Sequence, residues 1–258
     1  MRRLVILILI VINTYDVAGV TLDSTIKKER SPMEYFELFL STDPAINDQK
    51  LNFATDKWNR FIAQMKDHSF SEAPNDVFIK SLFKNLHRNF LPEYNRQSNF
   101  GNLFTEEPTY NCVTATALLS IALETFNIPY AIRETNFHVY VLLPEHDMLL
   151  ESTNRFGILN GSNDIERRIS KYVKENRSSS KNDLIPMFID KEINLDQFAG
   201  LLFFNLAVDY VQKEDWSGAM PYLTYAEQHY YSLRVFYLKF LVSARLPENQ
   251  NIYVRYKL

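Results

Sequence analysis

The chain has 258 residues, of which 46% are hydrophobic and 23% charged, and a formal charge of −3, an ordinary globular balance. Asp and Glu outnumber Lys and Arg, which excludes a phosphate-tracking nucleic-acid binder, because that task needs a basic excess. One cysteine excludes an internal disulfide, and six glycines without a Gly-rich loop imply no nucleotide cofactor.

Met1-Arg2-Arg3, the unbroken apolar run over residues 4–12, and the small residues Val17-Ala18-Gly19 have the three parts of a secretory signal peptide. The run is too short to span a bilayer, which takes about 20 residues. The expectation is a signal over 1–19, cleaved after Gly19, and an exported protein, periplasmic or secreted, with no stable membrane insertion after cleavage; an uncleaved membrane anchor is the alternative. In an oxidising compartment a lone thiol is either a small buried hydrophobe or a reactive group.

Helical patterning follows. Tyr35, Phe36, Phe39 and Leu40 repeat at helix spacing; Leu51, Ala54, Trp58, Phe61, Ile62 and Met65 continue it; Val77, Ile79, Leu82, Phe83 and Leu86 mark a third segment, closed by Pro92. After a loop containing Gly101 and Pro108, the run from Val113 to Phe126 is apolar on nearly every side, a helix buried on most faces, and Asn127-Ile128-Pro129 stops it. Two stretches of strand character, "YAIRET" and "FHVYVLL", precede a turn "PEHD" and a third stretch "MLLEST". The fold class expected is α+β: a helical N-terminal part, a central helix packed on a small antiparallel sheet, and C-terminal helices.

Residues 158–190 read as a connector, with a short charged helix "IERRISKYVKE" and a flexible "NRSSSKND". Beyond it, "FFNLAVDYVQKEDWSGAMPYLTYAEQHY" fits one tetratricopeptide-like repeat, with Phe203, Leu206, Ala207, Tyr210, Ala219, Leu223 and Ala226 at the expected spacings. Tyr231 stands where that repeat usually has proline, and Pro221 falls inside its second helix. A single repeat cannot bury its own face, so the tail over 191–258 should dock on the domain over 20–157.

Cys112 lies directly behind Asn111, a candidate N-cap, where unpaired N–H groups and the helix dipole favour a thiolate and could later hold an oxyanion. A nucleophile also needs a base and a group that orients it. His138 and Glu151 sit on the two strands flanking the "PEHD" turn. A four-residue loop pairs Leu143 with Met148 and sets Glu151 opposite Tyr140, diagonal to His138; a two-residue loop pairs His138 with Glu151 directly. Either register places imidazole and carboxylate on one face.

Cysteine at a helix start, then His and an acid on successive strands, resembles the transglutaminase-like branch of the papain-like thiol hydrolases. The resemblance covers residues 80–157 and rests on "YNCVTATALL", "NFHVYVLL" and "LLESTN". It implies a papain/transglutaminase-like core with Cys112 as nucleophile, His138 as base and Glu151 as orienting acid, and acyl transfer through a thioester on a peptide or protein substrate. The family more often has Asp where Glu151 stands, and its upstream oxyanion donor has no counterpart recognisable in the sequence.

Taken singly, Cys112 reads as a core residue, His138 as a hydrogen-bonded strand residue and Glu151 as a solvated one; their order together carries the catalytic reading. His87 reads as structural, His146 as a solvated turn residue, and His68 and His229 have no companions that suggest a site. No HExxH, cysteine pair or calcium-type carboxylate loop occurs, so no metal is expected. The 19 Phe and 15 Tyr read as packing rather than carbohydrate binding. A catalytically silent transglutaminase-like module, its tail holding a protein partner, is the alternative to the enzyme.

Overall fold

A helix that is apolar all round must be surrounded, and α4 (Cys112–Thr125) organises the chain around it: every residue from Val113 to Leu123 is buried. The computed structural model describes residues 30–67, 74–179 and 189–246. The expected signal segment, His68 and part of the expected connector lie outside the described residues. The architecture is α+β.

Three helices form the N-terminal layer. Helix α1 (Pro32–Ser41) starts with a Ser31–Glu34 capping box and proline at its first position. Helices α2 (Asp48–Asp67) and α3 (Asp76–Phe90) follow, the latter capped by Asn75. Phe36 stacks on Trp58 and meets Phe100 and Phe104 edge-on, so much of the aromatic content is interlocked core. In α3 the buried face runs through Phe78, Ile79, Leu82, Phe83 and Leu86, while Val77, expected on it, is 75% exposed. Successive residues lie about 100° apart around a helix, and the bulkier Phe78 takes the inward place.

Five antiparallel strands build the sheet: β3 (Ala131–Thr135), β4 (Val139–Leu143), β5 (Met148–Leu150), β6 (Ile158–Asn160) and β7 (Asp190–Ile193), in the order β6-β5-β4-β3-β7. Val139, Val141, Leu143, Met148 and Leu150 join the main core with α4. The other face carries Tyr140 and Leu149 and is covered by α5 (Ser162–Ser179), whose Ile165, Ile169 and Tyr172 recur at i, i+4 and i+7. The stretch read as a connector therefore contributes an edge strand and the helix that roofs the sheet. A separate two-stranded parallel ribbon, β1 (Glu93–Tyr94) with β2 (Thr109–Tyr110), lies just ahead of α4.

The C-terminal helices are α6 (Leu195–Gln212), α7 (Trp216–His229) and α8 (Leu233–Arg245). Residues 213–215, with Glu214 at φ 59°, reverse the chain between α6 and α7, and Ala207, Ala219 and Leu223 interlock with Val242 of α8. Phe198, Ala199, Leu202, Phe203 and Tyr230 belong instead to the main core. Gly200 permits that approach: a Cβ there would lie 2.3 Å from the Cβ of Tyr230. Among the described residues no helix is long and apolar enough to cross a membrane.

Candidate active site

Asn111 is buried and uses its whole side chain to fix the start of α4. Its Oδ1 accepts from the N–H groups of Val113 and Thr114, and its Nδ2 donates to the carbonyls of Arg96 and Ser98 at 3.1 and 2.8 Å. This holds Cys112 at the first helical position, partly exposed, where a backbone N–H has no partner within the helix.

The three-residue connection between β3 and β4, residues 136–138, carries His138. The Thr135 hydroxyl accepts from the His138 N–H at 3.0 Å and donates to the His138 carbonyl at 2.9 Å. Leu143 pairs with Met148 and Val141 with Leu150, the four-residue-loop register, which puts Glu151 one step past the end of β5. His138 Nε2 lies 2.7 Å from both carboxylate oxygens of Glu151. With Nε2 committed there, Nδ1 is the nitrogen left for the sulfur.

Burial disfavours a charged imidazole, but hydrogen bonding and charge from Cys112 and Glu151 outweigh it, and the His138 pKa is pushed up to about 9. Burial likewise pushes the Glu151 carboxyl upward, and its bonds to His138, Tyr172 and Thr153 reverse the shift and lower it overall. The Tyr172 hydroxyl, itself held protonated by burial and the neighbouring carboxylate, donates to Glu151 Oε2. Thr153 Oγ1 donates to Oε1 at 2.9 Å, and Arg168 stands 3.9 Å from Oε2. Gly157 packs so closely that a Cβ there would lie 2.1 Å from the Glu151 carbonyl oxygen.

Cys112 and His138 open into one cleft of about 450 Å³ between the sheet end, the ribbon and α6. Tyr94 lines it, and burial, with a further push from Cys112, raises its phenol pKa. The ribbon accounts for its place, since Tyr94 pairs with Tyr110, two residues before Cys112. No family model, no curated protein and no solved structure matches this chain. Its function is therefore read from this geometry.

The structure brings Cys112, His138 and Glu151 together and leaves His87, His146 and His229 elsewhere. His87 is buried between Phe83 and Tyr110, and burial lowers its pKa to about 4. His146, expected to be solvated, has Nδ1 2.8 Å from Asp76, and His229 stacks on Phe203. No cluster of three or more metal-ligating side chains occurs among the described residues.

Tyr94, Tyr172 and Arg234 carry no motif that marks them in the sequence. Only the Ile165–Ile169–Tyr172 spacing within a charged helix hinted that Tyr172 faces inward. Arg234 of α8 donates to the carbonyls of Thr135 and Asn136 at 3.1 Å each, in the turn that carries His138. Its Nη1 also sits 3.1 Å from Glu134 Oε1, an ion pair without hydrogen-bond alignment, and Tyr230 donates to the other carboxylate oxygen. The tail thus contributes to the fixing of the site.

Proposed function

We propose that the protein is an exported cysteine-dependent amide hydrolase or acyltransferase, transglutaminase-like in its core and catalytic order, acting on peptide-like substrates through a thioester. One observation carries this reading: an imidazole clasped by a buried carboxylate through Nε2 and interacting with the side chain of a helix-start cysteine, at an open cleft.

The chemistry follows from the positions. The Cys112 thiolate attacks the amide carbonyl carbon, and the C=O pair moves to oxygen. The Cys112 N–H at the helix start, and the Tyr94 hydroxyl lining the same cleft, are the donors assigned to that oxyanion. The imidazolium of His138 gives its Nδ1 proton to the leaving nitrogen, the C–N bond breaks and a thioester remains. Water or a second amine then attacks, His138 takes the proton, and thiolate is expelled.

The test is the rate of Cys112 alkylation by iodoacetamide at neutral pH. The expected result is a rate well above that of a simple thiol, lost in His138→Ala, together with a mass increment on Cys112 from an activated acyl ester. A rate equal to a simple thiol's, unchanged by His138→Ala, would refute the enzyme. A second reading draws on α8, whose Leu233, Phe236 and Phe240 form an exposed apolar stripe. In it the domain is catalytically silent and its tail holds a protein partner, an activity that Cys112→Ala would leave intact.

A further inference from the structure

The cleft has a second wall that the acyl-transfer chemistry does not use. Asn205, Asp209 and Gln212 of α6 stand at i, i+4 and i+7, share one helix face, and line the same cleft as Cys112 and His138. Within the described residues none of the three makes a side-chain hydrogen bond or ion pair. Of the charged side chains lining the cleft, His138 is engaged with Glu151 and Arg234 with Glu134 and two carbonyls, while Arg96 acts on Asp209 only through its charge. Asp209 is the one acidic side chain lining the cleft among the described residues.

Resting on the acyl-transfer reading above, we propose that this face of α6 reads the substrate, and that Asp209 receives an ammonium group carried close to the amide that Cys112 attacks. A carboxylate offers acceptors only, whereas the flanking Asn205 and Gln212 amides offer donors and acceptors suited to peptide groups. Burial pushes the Asp209 carboxyl up, and the charges of Lys213 and Arg96 offset that only in part, so the group is short of a close partner. A bound ammonium supplies one. The apolar residues beside the stripe, among them Leu201, Phe204 and Val208, exclude water and strengthen the attraction. Two sources present this chemistry, a free peptide amino terminus and a lysine-like side chain.

The experiment compares Cys112 modification of the full chain by methanethiosulfonates bearing an ammonium, no charge, or a sulfonate. Wild type should prefer the ammonium reagent over the sulfonate, and Asp209→Asn should reduce that ratio by about tenfold, the size of one charge acting at cleft distance. Asp209→Glu should restore it. Peptidyl chloromethyl ketones with free or acetylated amino termini, and with lysine or norleucine, then assign the source: whichever amine accelerates inactivation must lose that advantage in Asp209→Asn. A ratio equal in wild type and Asp209→Asn, or no acceleration by either amine, overturns the proposal. Cys112 no more reactive than a simple thiol toward the uncharged reagent overturns the acyl-transfer reading itself, and this inference with it.

Discussion

Replacing Glu151 with Gln keeps the side chain's size and removes its charge, leaving His138 Nε2 facing an amide. A pKa of about 9 for His138 against an ordinary 6.5 corresponds to roughly 3 kcal/mol favouring the imidazolium, at about 1.4 kcal/mol per pH unit. That net figure already includes a burial penalty, and Cys112 and Glu151 share the favourable part. If Glu151 supplies half, the His138 pKa falls to about 8 or lower in Glu151→Gln, and neutral-pH alkylation of Cys112 slows about tenfold. The assay is an NMR titration of the His138 ring proton, with alkylation followed in parallel. The sign also fixes a stability profile. Because the folded pKa lies above the unfolded one, His138 stabilises the fold fully below about pH 6.5 and loses that contribution as pH rises through about 9. Urea midpoints of wild type should therefore decline across that window more than those of Glu151→Gln. An unshifted His138 titration in the variant would refute the claim that this carboxylate holds the charged ring.

Arg234→Ala strands the fully buried Glu134 and releases the turn before His138, so it should cost about 3 kcal/mol by urea unfolding and slow alkylation of Cys112. Unchanged alkylation in folded variant protein would detach the tail from the site. Gly157→Ala forces a Cβ against the Glu151 backbone and should cost about 1–3 kcal/mol while lowering the His138 pKa; a neutral result would mean the 151–157 loop shifts without moving Glu151. His87 behaves oppositely to His138. Its folded pKa is about 4, so its stabilising effect is complete above about pH 6.5 and fades as pH falls toward 4, worth about 3 kcal/mol in all. His87→Leu should flatten this acid limb, and an acid limb identical to wild type would show that His87 ionises freely in the fold.

Local pattern determined much of this protein. The encircling apolarity of residues 113–123 specified a buried central helix, Asn111 specified where it starts, and the alternation around "PEHD" put His138 and Glu151 on one face before any tertiary contact was known. These were legible because helix capping and strand pleat depend on neighbours in the chain. The support of the site was not. Tyr172 reaches Glu151 because α5 lies across the sheet, Tyr94 is brought to the Cys112 cleft by a two-residue ribbon, and Arg234 grips the His138 turn from almost one hundred positions away. Nor could spacing alone tell that Asp209 lines the same cleft as Cys112. Such contacts are set by how whole elements stack to bury their apolar faces, a nonlocal outcome, so the sequence by itself singled out Cys112, His138 and Glu151 and only the packed structure determined what surrounds them.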